Sequence, residues 1–147
     1  MSVYTTDVLI EGVRRDDVLT WLADPAHHEL ILVGAWGTMK STGEKTWEVT
    51  VPTQLRTRPM TYTFDHVDED HGGRRVHVTL GGKRTNGKLH WSLRTQKPST
   101  NTLVTLHADI DPGGPLGLVA EQMGMRERLE HGFRIMTENV KKGVLRG

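Results

Sequence analysis

An alternation of apolar and polar side chains over residues 34–111 is the feature that most constrains the fold of this chain. Apolar side chains take every second position in segments such as 47–51, 76–80 and 104–110. Alternation with period two is typical of β-strands that bury one face. Threonines concentrate on the polar face, as expected for a sheet that meets water on one side. The segment therefore predicts a meander of antiparallel strands.

Helix signals flank this region. A strand over residues 3–11 comes first, and two short helices follow it. Asp24 and Pro25 form an N-cap followed by proline at the first helical position, which predicts the second of these helices over residues 25–32. An apolar stripe at helical spacing then predicts one long helix over residues 116–145, which would measure about 45 Å.

The Asn-Gly dipeptide at residues 86–87 is the strongest two-residue hairpin signal in the chain. With these two residues as the loop, Arg84 would lie opposite Leu89 on the inward face of the sheet. A buried guanidinium needs a partner, and a ligand carboxylate or phenolate would supply one. Alternatively, a bulge at residues 81–82 would turn Arg84 to solvent.

Trp91 would lie between two small residues in this register. Gly82 would face it on one side, and a loop at residues 98–101 would set Ala108 opposite it on the other. Small neighbours leave space beside a large ring. The register therefore predicts that the Trp91 indole faces inward with room around it.

Charge balance and the lack of cysteine exclude several classes of protein. Lys and Arg number 19 against 18 Asp and Glu, a net charge of +1, which removes the electrostatic case for nucleic-acid binding. Without cysteine there is no disulfide, thiolate nucleophile or cysteine-based zinc site. No apolar run approaches the roughly 20 residues of a membrane span, and the first residues lack the pattern of a signal peptide. We therefore expect a cytoplasmic protein without stable membrane insertion.

Histidines raise the question of a metal site. The adjacent His27 and His28 would point about 100° apart on a helix. His77, His90 and His107 share the outward face of the sheet, but the predicted register pairs His77 with Gln96 and His90 with Asp109. These three side chains should therefore not converge, and no metal site is predicted. Glycine-rich stretches lack phosphate-loop or dinucleotide spacing, so no cofactor is expected either.

The order of the predicted elements is that of the helix-grip fold: one strand, two short helices, six strands and one long helix. The segment DVLTWLADP, residues 17–25, resembles the V-x-x-W/L-L-A-D-P stretch at the first two helices of the START-like (SRPBCC) superfamily. Within that superfamily the chain is most similar to the bacterial polyketide cyclase/dehydrase and lipid-transport group. The resemblance extends over nearly the whole chain.

This resemblance implies an α+β fold in which seven antiparallel strands curve around the C-terminal helix, as one domain over residues 1–147. It also implies a cavity between sheet and helix. Members of the superfamily bind lipids, sterols, polyketides and plant hormones, and some catalyse cyclisation or aldol-type steps. The superfamily has no shared catalytic signature to transfer, so the fold leaves the function open.

Few large side chains are available to fill the space between sheet and helix, because only 5% of the residues are aromatic. We expect an apolar pocket lined by Trp47, Tyr62, Phe64, Trp91, Met125, Leu129 and Phe133. Gln122 lies on the apolar stripe of the long helix and could hydrogen-bond a ligand beside Arg84. The alternative is that the same side chains form a packed core.

Three polar residues are candidates for acid–base chemistry. Tyr62 and His66 would share the inward face of one strand, where together they could bind a carbonyl oxygen and move a proton. Arg84 is the third candidate. The alternative is that the tyrosine and the histidine are plain packing residues.

The leading hypothesis for function is the binding of a small hydrophobic molecule, such as a lipid, a polyketide or an aromatic compound. The second is an enzyme of the polyketide cyclase/dehydrase type that acts in the same cavity. The third is a co-chaperone-like module that binds other proteins. The chain could be a monomer or a homodimer.

Overall fold

The structure, a computed structural model, describes residues 2–52, 57–68, 74–82, 86–96, 100–111 and 119–147. Its strands are β1 (Ser2–Ile10), β2 (Met39–Ser41), β3 (Thr46–Pro52), β4 (Thr57–Asp68), β5 (Arg75–Gly81), β6 (Asn86–Gln96) and β7 (Asn101–Asp111). Its helices are α1 (Arg15–Leu22), α2 (His28–Leu32) and α3 (Val119–Arg146). These described strands form one antiparallel sheet in the order β1-β7-β6-β5-β4-β3-β2. The predicted α+β helix-grip architecture is confirmed.

The turn between α1 and α2 forms as the sequence predicts. The Asp24 carboxylate accepts a hydrogen bond of 3.0 Å from the backbone N–H of Ala26, and Pro25 opens a 3₁₀ turn that leads into α2. An acidic N-cap followed by proline satisfies the free N–H groups at a helix start. The cap fixes the start of the 3₁₀ turn over Pro25–His27, and α2 follows at His28 without a side-chain cap of its own, so the predicted helix over residues 25–32 begins as a 3₁₀ turn.

The core lies between the inward face of the sheet and α3. The helix contributes a buried stripe with helical spacing, made of Met125, Leu129, Phe133, Met136 and Val140. A Cβ at Gly132 would overlap the indole of Trp36, whose Nε1 donates a hydrogen bond of 2.9 Å to the carbonyl of Arg128. A tryptophan from the segment after α2 is thus seated on the backbone of α3. Among the described helices, none is long and apolar enough to cross a membrane.

The β5–β6 hairpin differs from the predicted one. Leu80 pairs with Gly87, and Val78 rather than Arg84 pairs with Leu89. The predicted register is wrong because Asn86 and Gly87 belong to β6, and Gly87 does not have the positive φ of a type I′ Asn-Gly turn. Gly87 instead lies within β6, where a Cβ would overlap the backbone of β7. Glycine at this position allows β6 and β7 to approach closely, and it does not form a turn.

The β6–β7 pairing also differs from the prediction, and this changes the surroundings of Trp91. Trp91 pairs with Leu106 on one side and Val76 on the other, instead of the two small residues predicted. Asn101 is the first residue of β7, where its side-chain oxygen accepts a hydrogen bond of 3.0 Å from the Gly12 N–H. The predicted loop is therefore displaced, and the predicted space beside the Trp91 ring is wrong.

A β-bulge in β4 moves His66 to the outer face of the sheet. The register shifts between Phe64 and His66, so that Phe64 is buried while His66 is exposed and lies opposite His77. The shift arises because one extra residue in the bulged strand changes the alternation of its side chains. The prediction that Tyr62 and His66 share the inward face is wrong.

Four histidines form a row across the outer face of the sheet. Their rings follow one another on β4, β5, β6 and β7, with centroid separations of 4.5 Å, 5.7 Å and 4.8 Å from His66 through His77 and His90 to His107. The prediction that His77, His90 and His107 do not converge is wrong, because the observed registers place them opposite one another. No group of three or more ligand-type side chains within the described ranges is arranged to hold a metal ion.

Candidate functional site

A buried hydrogen-bonded pair, His28 and Tyr62, joins α2 to the inward face of β4. The Nδ1 of His28 lies 2.6 Å from the Tyr62 hydroxyl, and its Nε2 lies 2.7 Å from the carbonyl oxygen of Leu22. Both side chains are fully buried. Because a carbonyl can only accept, Nε2 carries the proton and Nδ1 accepts the hydrogen bond that Tyr62 donates. The pair is thus a neutral imidazole and a neutral phenol with complementary roles.

Burial sets the protonation states of this pair. It lowers the pKa of His28 from its ordinary value of 6.5 to about 4, and the hydrogen bond to Leu22 opposes the effect only in part. Burial also raises the pKa of Tyr62 above its ordinary value. The indole N–H of Trp91 lies near the Tyr62 hydroxyl and tempers this rise, although no hydrogen bond of acceptable geometry joins them. Near neutral pH neither group is charged.

Aromatic rings surround the pair. The Trp47 ring lies edge-on to Tyr62 with the centroids 5.9 Å apart, because the two residues are direct partners in the β3–β4 pairing. The Phe64 ring lies edge-on to the His28 imidazole at 4.9 Å. We call these five residues, His28, Trp47, Tyr62, Phe64 and Trp91, the His28 cluster. The cluster is apolar apart from a small number of hydrogen-bonding atoms.

Two of those atoms have no partner. The indole Nε1 atoms of Trp47 and Trp91 are buried and make no hydrogen bond within the described part of the chain. The two side chains are only 2% and 0% exposed, so water at the surface does not reach them. Buried donors in folded proteins almost always have a partner, and an unsatisfied one is a sign of an additional group. A ligand or an ordered water molecule would complete this site.

Seven of the predicted ligand-binding residues lie together in the buried core. They are Trp47, Tyr62, Phe64, Trp91, Met125, Leu129 and Phe133. Arg84 and the side chain of Gln122 lie outside the described residues, and the pairing that predicted an inward Arg84 is wrong. His66 lies on the outer surface. The role of the seven core residues in ligand binding stays a prediction.

His28 is not among the residues predicted for the site, although the sequence carries a signal for it. His27 and His28 were considered only as possible metal ligands. His28, Ile31 and Leu32 have the i, i+3, i+4 spacing of one helix face, and all three are buried. A histidine on the apolar face of a short helix indicates a buried imidazole that needs hydrogen-bond partners.

Two grooves on the surface are alternative places for a ligand. The first, between β1 and α3, has a volume of about 300 Å³, and Phe133 and Arg126 are part of its wall. The second, which we call the Trp21 groove, has a volume of about 650 Å³ and is lined by α1, the end of α3 and the stacked rings of Trp21 and His27. Both are open to solvent, unlike the His28 cluster.

Comparison with known proteins identifies the fold of this chain but does not identify an activity. No protein-family model matches the sequence, and no curated protein matches it. TTHA0849 from Thermus thermophilus is similar in structure with a TM-score of 0.70 and 9% sequence identity, over 99% of this chain and 98% of that one. Norcoclaurine synthase from Thalictrum flavum, in complex with dopamine and hydroxybenzaldehyde, gives 0.64 and 16%, over 99% and 87%.

A START superfamily protein from Mycobacterium smegmatis is also similar, with a TM-score of 0.55 and 12% identity over 95% of this chain and 97% of that one. Each of these likenesses extends over nearly the whole chain and includes the sheet and the C-terminal helix. At identities this low they show the fold alone. The protein has the helix-grip fold of the START-like superfamily.

Proposed function

We propose that this protein binds a small, mainly hydrophobic molecule between the inward face of the sheet and α3, in contact with the His28 cluster. The observation that carries the proposal is the pair of unpartnered indole N–H groups of Trp47 and Trp91. Small-molecule sites are mostly apolar and contain a few well-placed polar atoms. The His28 cluster has this composition, and its tyrosine and histidine already satisfy each other.

The fold supports the same proposal. Norcoclaurine synthase, which shares the fold, has a structure in complex with two small aromatic molecules. The buried stripe of α3 supplies Met125 and Met136 opposite the sheet. Methionine is flexible and polarisable, and it adapts to apolar ligands of different shapes.

An enzyme of the polyketide cyclase/dehydrase type is the second candidate. The observation in its favour is the hydrogen bond between Tyr62 and His28, since such a pair can move a proton in acid–base catalysis. The pKa values favour binding over catalysis: burial holds the pKa of His28 near 4 and raises that of Tyr62. A group that serves as general acid or base works best with a pKa near the working pH.

Fluorescence titration with the neutral probe N-phenyl-1-naphthylamine tests the proposal. Wild-type protein should enhance the fluorescence of the probe saturably, with one site per chain. Ala108→Phe places a ring on the inward face of β7, where Ala108 is buried, and should abolish binding by filling the space. Thr105→Phe, on the outer face of the same strand, is the matched control and should bind as wild type does. Ala108→Leu replaces the larger variant if that one does not fold.

Native mass spectrometry of the purified protein provides an independent measurement. A bound small molecule supports the proposal and identifies a ligand class. A protein that carries no bound molecule and does not enhance the fluorescence of the probe contradicts the proposal and favours the protein-interaction module. Conversion of the ligand to a product, with loss of the conversion in Tyr62→Phe, would favour the enzyme.

A further inference from the structure

The His28 cluster keeps two indole N–H donors that no acceptor within hydrogen-bonding geometry satisfies among the described residues, although the Tyr62 oxygen, which can also accept, lies near the N–H of Trp91. Both nitrogens of His28 are engaged, and the proton of Tyr62 is committed to His28. The indoles of Trp47 and Trp91 each keep one N–H that no described residue accepts. An indole nitrogen donates and never accepts. A ligand that completes these two residues must therefore bring an acceptor atom.

The charges in the core limit what that acceptor can be. Among the residues that the structure describes, the buried polar side chains are His28, Thr102 and Thr137. His28 is neutral, and the two threonine hydroxyls donate to the backbone carbonyls of Val13 and Arg134 at 2.7 Å. Among the described residues no Lys or Arg side chain is fully buried, and Arg15, whose Nε is buried, is partly exposed at the start of α1. A buried charge without a partner is costly and is rarely tolerated.

The unpaired indole donors and the absence of a fully buried cation among the described residues together define a class of ligand. We propose that the molecule bound next to the His28 cluster carries an uncharged carbonyl-type oxygen, as in a ketone, aldehyde, quinone or ester, which accepts a hydrogen bond from the indole N–H of Trp47 or Trp91. This inference rests on the proposed function and narrows its ligand. The rest of the molecule is apolar, because the cluster and the buried stripe of α3 present mainly aromatic and aliphatic carbon.

Equilibrium dialysis with three related compounds separates this inference from the proposed function. Fluorene and 9-fluorenone have nearly the same shape and differ in the carbonyl, and fluorene-9-carboxylate carries a charge instead. Wild-type protein should bind 9-fluorenone about tenfold more tightly than fluorene, as one hydrogen bond to a buried donor allows. It should bind the carboxylate more weakly than either.

Tryptophan variants identify the donor. The ratio of the affinity for 9-fluorenone to that for fluorene should fall close to one, while fluorene still binds, in Trp47→Phe, in Trp91→Phe or in the double variant. Trp36→Phe is the matched control, because the N–H of Trp36 already donates to Arg128, and its ratio should equal that of wild type. The ratio is measured within each protein, so a change in stability does not affect it.

Infrared spectroscopy gives a second measurement that needs no variant. The carbonyl stretch of 9-fluorenone bound to wild-type protein should lie at lower frequency than in hexane, because a hydrogen bond weakens the C=O bond. An unshifted stretch overturns the inference.

The dialysis results have distinct meanings. Equal binding of fluorene and 9-fluorenone overturns the inference and leaves the proposed function standing. Tightest binding of the carboxylate also overturns it, since a cation must then face the ligand. A ratio that survives in the double variant shows that the indoles are not the donors and overturns the assignment. Binding of none of the three compounds overturns the inference together with the proposed function.

Discussion

At the scale of single residues, the pairing of Tyr62 with His28 is the contact that gives the core a polar centre. Each partner uses the other to satisfy a buried polar atom, and neither is charged near neutral pH. The sequence predicts the inward orientation of Tyr62 from alternation alone, and the structure confirms it. It does not predict the partner, because the two residues are 34 positions apart and no local pattern joins them.

Tyr62→Phe should destabilise the protein by about 1–3 kcal/mol, because it leaves the Nδ1 of His28 buried without a donor. Urea denaturation of wild type and variant at neutral pH measures this difference. Thr61→Ala is the control on the same strand, since Thr61 is exposed, and its effect should stay within about 0.5 kcal/mol. Equal stability of Tyr62→Phe and wild type would show that the hydrogen bond does not form.

Stability should fall with acid because of His28. Its pKa is about 4 in the folded protein against an ordinary 6.5, so the unfolded chain takes up the proton first. The stability is fully present above pH 6.5 and is lost as the pH falls from 6.5 to about 4. The loss from this group is about 3 kcal/mol. Burial also lowers the pKa values of His77 and His90 on the outer face, and these groups act in the same direction.

Urea denaturation at a series of pH values measures this loss. The variant His28→Gln identifies how much of the lost stability comes from His28. The variant should lose less stability than wild type between pH 6.5 and pH 4. An identical pH dependence in the two proteins would contradict the assignment of a buried neutral imidazole.

At the scale of elements, the strands and helices could be predicted from the sequence, but their registers could not. Alternation identifies each strand and its buried face. Register depends on where a loop begins, and Gly87 carries the signal of a turn while serving contact between two strands. The bulge that turns His66 outward has no signal in the alternation either. The row of four histidines follows from these registers and could therefore not be predicted from the sequence.

Gly132→Ala tests the contact between α3 and the segment after α2. Alanine normally stabilises a helix interior over glycine by about 1 kcal/mol. Here it should destabilise the protein, because the added Cβ overlaps the indole of Trp36. Thermal unfolding of the variant measures the sign. In a Trp36→Ala background the same substitution should stabilise, and destabilisation there would show that the overlap is not the cause.

At the scale of the whole molecule, the order of elements and the segment at residues 17–25 lead to the helix-grip fold, which the structure and the comparisons confirm. The fold packs a long helix against a sheet, and it serves proteins of different function. Whether a ligand binds between them depends on a few side chains. Two unpaired indole donors beside a satisfied tyrosine–histidine pair are the features that distinguish this interior from a plain core.

The most direct test of ligand binding in this space is an NMR titration that follows the indole N–H signals. The chain has four tryptophans, which are assigned through single Trp→Phe variants, and 9-fluorenone is the ligand. The signals of Trp47 and Trp91 should move on binding, while that of Trp36 stays in place as an internal control. Movement of the Trp21 signal alone would place the ligand in the Trp21 groove, and either this result or four unmoved signals would contradict binding at the His28 cluster.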